Sequence, residues 1–378
     1  MRDLAPPPQP FGYFVHHQGC GHAERCAALV NALPASRRVT VFCARPDILP
    51  QLPSNAQIVT LPSLFERQGD ETDMDHLPTP ATLHCAPLGW PGIRRAMGIL
   101  AAWFADADPA LIICDVSAEI AQFARICAVP HVKVLQHGDR SDPGHRAAYD
   151  GAVGLLAPFA EALAQPEWDA AMRAKTHFAG GLGLNFALPR RAEARARLGI
   201  APDAQVALVL SGGGGDGLAV APLGIAARTF PQWRWLTIGK IQDDWHATAG
   251  GNLCHRGWVD NPQDYLAAAN LVVSSAGNTT CAQVLAAARP WIVVPEWRYF
   301  DEQVEKARAL SRAGAALHLL ALPASAHRWQ EAVEAALAGH DPSAQARLLS
   351  PDPAKGAACW LEALAQRLWQ ARSLKQEA

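Results

Sequence analysis

The feature that most restricts the fold occurs twice: an apolar run of strand length ends in a glycine-rich turn and continues into a helical segment. In the first half, Phe11-Gly12-Tyr13-Phe14-Val15 leads into His16-His17-Gln18-Gly19-Cys20-Gly21-His22, and the residues beyond are apolar at Cys26, Leu29, Val30 and Leu33. That spacing of three and four marks one face of a helix. In the second half, Val206-Ala207-Leu208-Val209-Leu210 ends in Ser211-Gly212-Gly213-Gly214-Gly215-Asp216-Gly217. Wholly apolar strands separated by helices imply a parallel sheet covered on both faces.

Further strands are expected at Val39 to Cys43, Ile58 to Leu61, Leu111 to Cys114, Val132 to Leu135, Trp235 to Ile238, Leu271 to Ser274 and Trp291 to Val294. The expected fold is therefore α/β, with two doubly wound, Rossmann-like domains facing across a cleft, and 378 residues are enough for both. The expected boundaries are 1–187 and 188–350, with a helix in 351–378 that packs on either domain, the first included. Gly180-Gly181-Leu182-Gly183 supplies the hinge. In such sheets ligands bind beyond the carboxyl ends of the strands. The polar, proline-rich stretch from Glu66 to Trp90 is expected to be a long functional loop.

Composition removes several classes of function. Thirty-three Lys and Arg against thirty-five Asp and Glu leave a formal net charge of -2, so the totals lend no support to a nucleic-acid surface. The nine cysteines form no C-x-x-C pair and several lie in apolar runs, the pattern of reduced thiols in a cytoplasmic protein. No apolar stretch approaches the ~18 residues that span a bilayer. Trp90 to Met97 reads as an amphipathic surface helix, with peripheral membrane contact as the alternative. His16, His17, His22 and His137 lack the spacing of a helix-borne pair of metal ligands, so no metal is expected.

The turn richest in chemistry is Ser274-Ser275-Ala276-Gly277-Asn278-Thr279-Thr280, between a strand and a helix with Cys281, Val284, Leu285 and Ala288 on one face. Free N–H groups at the positive end of a helix bind phosphate; an ordinary capped turn is the alternative. There follow Arg289-Pro290-Trp291-Ile292-Val293-Val294-Pro295, Asp301-Glu302-Gln303, Lys306-Ala307 and Ala313-Gly314-Ala315-Ala316. In this order the segment resembles the carboxyl-terminal domain of GT-B glycosyltransferases of the MurG-like, family 28 type. Gly19-Cys20-Gly21-His22 with Arg25 resembles the loop that opens their first domain and that of related nucleotide-sugar hydrolases.

The resemblance implies transfer of a sugar from a nucleoside diphosphate sugar, UDP first among them, to a hydroxyl acceptor that is lipid-linked or small. It implies inversion, no bound metal and no separate cofactor, with the acceptor on the first domain and the donor on the second. Ser275, Ala276, Gly277, Asn278 and Thr279 would hold the diphosphate, Val259 would read the base through its backbone, and Asp301, Glu302 and Gln303 would meet sugar hydroxyls. Gln283 stands where the family carries a glutamate on the ribose; an amide keeps one acceptor and loses the charge, which leaves another nucleotide open. Gly213 and Gly214 either line the donor side or form a flexible turn.

A base that works near neutral pH suits histidine. His22 is the matched position, with loop capping as its alternative, and His16, His17, His137 and Asp115 are the other candidates past strand ends. A nucleotide-sugar hydrolase or epimerase, and a non-catalytic nucleotide-sugar binder, are the competing readings. Of the tryptophans in the second half, Trp233, Trp235, Trp245, Trp258 and Trp291 are expected in the core, whereas Trp297, with Tyr299, is expected near a ligand.

Overall fold

The computed structural model describes residues 8–72, 74, 76–184, 187–243 and 251–376. Strands β1 (Phe11–Val15), β2 (Val39–Cys43), β3 (Ala56–Thr60), β4 (Leu111–Cys114), β5 (His131–Val134), β6 (Gly154–Ala157) and β7 (Thr176–Phe178) form one parallel sheet in the order β3-β2-β1-β4-β5-β6-β7. The second part supplies β8 (Gln205–Ser211), β9 (Leu218–Ala219), β10 (Trp233–Gly239), β11 (Ile241–Gln242), β12 (Leu253–His255), β13 (Leu271–Ser274), β14 (Trp291–Val293) and β15 (Leu317–His318). Six of these form a parallel sheet in the order β12-β10-β8-β13-β14-β15, and β9 pairs with β11. The two sheets are Rossmann-like, as expected.

Each sheet changes direction of winding at one point, between β1 and β4 in the first and between β8 and β13 in the second. A crevice opens at such a point because the loops on either side run to opposite faces of the sheet. The loops after β1, β4, β8 and β13 are thereby set to form a site, and they carry the two glycine turns, Asp115 and the serine-rich turn.

Trp233, Trp235 and Trp291 are buried in the second domain. Trp258 departs from expectation: β12 ends at His255 and Gly257 has φ +64°, so Trp258 lies in a loop and is exposed. Trp297 and Tyr299 are exposed too, while Trp245 lies outside the described residues. The helix Pro353–Gln376 returns to the first domain, where Leu361 and Leu364 join Val39 and Leu156 in one core. Arg37 forms a bidentate pair with Glu362 there, and Trp369 Nε1 donates to the Ala110 carbonyl at 3.0 Å.

The domains also meet through a clasp. Gly138, at φ +111°, lets its backbone pass so close to the loop before the helix Glu302–Arg312 that a Cβ would lie 2.2 Å from the Phe300 carbonyl oxygen. The next residue, Asp139, donates its N–H to that oxygen at 2.7 Å. Arg140 Nη2 and Gln136 Nε2 both donate to Glu302 Oε2, at 2.9 and 3.1 Å, and the Arg140 guanidinium lies over the Phe300 ring. Phe300 and Asp301 both have positive φ, a strain of order 1 kcal/mol or more each that docking must offset. Gly138→Ala should therefore loosen the clasp and destabilise the protein by about 1 to 3 kcal/mol, read as a lower Tm in thermal unfolding. An unchanged Tm would show that the contact carries no weight.

Candidate active site

On the first domain, the helix Cys20–Ala32 starts directly after Gly19, whose φ of +87° turns the chain out of the sheet. His22 and Arg25 lie three residues apart and so share one helix face. That face meets Asp115, the residue after β4. His22 Nδ1 is 3.0 Å from Asp115 Oδ1, Arg25 donates from Nε to Oδ2 at 3.0 Å and from Nη2 to Oδ1 at 2.8 Å, and the Tyr13 hydroxyl donates to Oδ2 at 3.1 Å. Asp115 is fully buried. Burial alone would raise its carboxyl, but the charge of Arg25 and the hydrogen bonds from His22 and Arg25 outweigh that and hold it well below the usual carboxylate range. Burial, followed by the Asp115 charge, pushes the Tyr13 phenol well above its ordinary value, so Tyr13 stays a donor.

His22 is the partly exposed member, with 20% of its side chain accessible. Arg25 Nη2 also lies 2.8 Å from Nδ1, so the position of the ring proton decides the chemistry. With the ring proton on Nδ1 pointing to Asp115, Nε2 carries a free lone pair; with Arg25 donating to Nδ1, the proton sits on Nε2 instead.

The other histidines fall into different places. His16 is buried, accepts the Gln18 N–H at Nδ1, stacks on Phe65 and His17, and is pushed down to about 3 by burial and its histidine neighbours. His17 Nε2 lies 3.0 Å from Glu66 Oε1 on the long loop. His137 does not reach the cleft. Its ring is fully buried between Phe159 and Trp168, with Nε2 2.7 Å from the Leu163 carbonyl, and burial drives its pKa well down. The expectation that it lines the acceptor side is corrected by that inward turn.

His84, Asp142 and His145 lie close enough together to suggest a metal site. Asp142 is 2.7 Å from His84 Nε2 and 2.5 Å from His145 Nδ1. Arg140 Nη1, which can only donate, is 2.7 Å from His145 Nε2. That nitrogen must accept, which puts the ring proton on Nδ1 and leaves no lone pair there for a cation. The trio is a hydrogen-bond chain from the long loop to Arg140 and the clasp.

On the second domain, Ser274 ends β13 and its hydroxyl receives Trp291 Nε1 at 2.9 Å. Gly277 precedes the helix Asn278–Ala287 without a side-chain cap. The N–H groups of Asn278, Thr279 and Thr280 have no partner within that helix, and a Cβ on Gly277 would meet only Thr280 Oγ1, at 3.7 Å. Two expected contacts are used internally instead. The Ala276 N–H donates to Gln303 Oε1 at 2.9 Å, and the same oxygen receives the Glu296 N–H at 3.0 Å, because buried Gln303 ties two strand ends together. Ser275 is buried, Glu302 is held in the clasp, and Asp301 stands exposed at φ +53°.

Gly213 and Gly214 are exposed, and the Trp258 indole would be 3.2 Å from a Cβ on Gly213. Val259 is half-buried against the second core, and Gln283 is half-buried on the helix after the turn. Lys306, which sequence reasoning placed only in a motif, is buried and contacts Asn278 Oδ1; burial pushes it down to about 8.

The two sides touch through their glycines. A Cβ on Gly21 would lie 2.9 Å from Thr279 Oγ1, and one on Gly19 would lie 3.6 Å from the Gly214 Cα. His22 is thus brought beside the serine-rich turn.

Residues 246–348 match the model of the glycosyltransferase family 28 C-terminal domain. Among solved structures, the chain is similar to the glycotransferase of kitacinnamycin at 18% identity, with 98% of this chain and 99% of that one covered and a TM-score of 0.59. It is also similar to a UDP-glucosyltransferase from Polygonum tinctorium capable of glucosylating indoxyl, at 15% identity, 97% and 100% coverage and a TM-score of 0.65. The spinosyn rhamnosyltransferase SpnG, complexed with thymidine diphosphate, gives 16%, 91% and 98%, and 0.62. No curated protein matches. The fold is that of GT-B glycosyltransferases, and part of the second domain matches the family 28 C-terminal domain. Among the described residues no helix is long and apolar enough to cross a membrane.

Asp115→Asn would leave the buried Arg25 without its counter-charge, a loss of about 3 to 5 kcal/mol in stability at neutral pH. The folded-state carboxyl is held well below the usual range, so its contribution is full above the unfolded value of roughly 3.9 and is lost progressively as pH falls from there toward the folded value. The gap between parent and variant in denaturant titrations should therefore begin to narrow below about pH 4. A gap that stayed constant down to pH 2 would contradict this.

Proposed function

We propose that the chain is a glycosyltransferase that moves a sugar from a nucleoside diphosphate sugar to a hydroxyl acceptor. The observation that carries this reading is the contact between the His22 loop and the turn at residues 277–280, which sets a paired histidine beside unpaired helix N–H groups. In this reading the donor diphosphate lies on the N–H groups of Asn278, Thr279 and Thr280, and Lys306 behind Asn278 adds positive charge. The helix end is worth most as the leaving diphosphate gains charge, since its dipoles are already oriented.

The acceptor hydroxyl loses its proton to His22 Nε2 while its oxygen attacks the anomeric carbon from the side opposite the diphosphate, which inverts that centre. Asp115 holds the Nδ1–H and stabilises the imidazolium that forms. UDP is the first nucleotide to test; Gln283 makes a thymidine nucleotide the second. Water in place of the acceptor would give hydrolysis from the same atoms, and acceptor-free incubation with a panel of nucleotide sugars separates the two.

A bound nucleoside diphosphate should stabilise the protein by about 2.7 kcal/mol at a hundredfold excess over its Kd. Gly277→Val, which has room to fold, should abolish that thermal shift, and a full shift in the variant would place the diphosphate elsewhere. His22→Asn should keep the shift while turnover falls by about 10² to 10⁴. A variant within threefold of parent turnover would remove His22 as the base.

A further inference from the structure

The corner that follows β4 is strained and braced from beneath. Val116 has φ +75°, and the Ser117 N–H closes a tight turn onto the Asp115 carbonyl at 3.1 Å. A β-branched residue avoids that backbone region, and such strain persists only where the surroundings over-determine it. Three restraints are present. Ser117 Oγ caps the helix Ala118–Ile126 through the Ile120 N–H. Glu119 receives the Ser117 hydroxyl and the N–H groups of His84 and Cys85. The third restraint is Lys133 Nζ, which donates to the Val116 carbonyl at 2.7 Å.

Lys133 stands in the middle of the buried strand β5 and is fully buried. No carboxylate pairs with it among the described residues, although Asp115, Glu119 and Arg140 are near enough to act on its charge, and burial pushes it down to about 8. A buried ammonium without an ion-pair partner is costly, so a methionine of similar shape should suit this site better for stability alone. Retaining an amine here makes sense if the corner needs its hydrogen bond.

We infer that Lys133 is a positioning residue that braces the strained corner at Val116 and so holds Asp115 in line with His22. It rests on the proposed role of His22 and adds a device for keeping the dyad aligned. The strain sits one residue from the carboxylate, so release of Val116 into a relaxed conformation would rotate Asp115 away from Nδ1. The bidentate bonds from Arg25 would then follow the carboxylate.

The test compares parent, Lys133→Met and the double variant Lys133→Met with Val116→Gly. Glycine adopts positive φ without strain, so it should remove the need for the brace. Lys133→Met should unfold at or above the parent Tm, retain nucleotide affinity within threefold, and lose ten- to a hundredfold in turnover. The double variant should regain turnover to within threefold of parent. In ¹⁵N-histidine spectra, with the His22 signals assigned through His22→Asn, Lys133→Met should lose the Nδ1–H tautomer and the double variant should recover it. Unchanged His22 signals in Lys133→Met, a double variant as impaired as the single one, or an early-melting Lys133→Met would each overturn the proposal. If the parent turns over no nucleotide sugar, the transferase reading fails and the imidazole spectra still decide the positioning role.

Discussion

The carboxylate of Asp115 is a full charge in a place that water does not reach, and the site is arranged around keeping it there. Three elements converge on it: Tyr13 from β1, His22 and Arg25 from the first helix, and the end of β4 to which it belongs. An unpaired carboxylate in that position would take up a proton. Arg25 prevents this, and the bidentate geometry fixes the plane of the carboxylate. His22 then meets an acceptor that is charged and held in orientation. The arginine also limits what the aspartate can do, since much of its charge is already matched before an imidazolium forms.

Across the cleft, the second domain assembles its turn from backbone rather than from charged side chains. Gln303, Trp291 and Lys306 all serve the turn at residues 274–280 from behind. This leaves the front of the turn to three N–H groups and the hydroxyls of Thr279 and Thr280. Such a surface favours an anion without choosing among sugars. In the proposed transfer, selection of the sugar would fall to the rim, where exposed Asp301, Trp258, Trp297 and Tyr299 stand and where Glu302 is committed to Arg140.

The fold was legible because parallel sheets covered on both faces leave unbroken apolar strands, as at Leu111 to Cys114 and Leu271 to Val273. The serine-rich turn and His22 were legible because glycines and small residues follow those strands directly. Other parts depend on distance in three dimensions. His22 was marked by its glycine loop and Arg25, whereas nothing local shows that His137, just past a strand end, turns inward. Gln303 lies next to Glu302 in the chain but points about 100° round the helix from it, which is why one braces the serine-rich turn and the other bridges the domains. Lys133 did carry a signal, a charged residue inside an apolar strand, and its meaning required the φ of Val116.

The two glycine loops explain how so much can meet at one point. A Cβ on Gly21 would press to 2.9 Å from Thr279 Oγ1, so the glycine admits that side chain, whereas a Cβ on Gly19 would have ordinary room 3.6 Å from the Gly214 Cα. The first loop and the serine-rich turn meet there, and His22, next to Gly21, follows its loop in. Reacting groups need to be held within about 3 to 3.5 Å for a productive approach. In the proposed reaction the close passage at Gly21 would serve the chemistry as Gly138 serves the clasp: each uses the absence of a side chain to fix a relation between the domains.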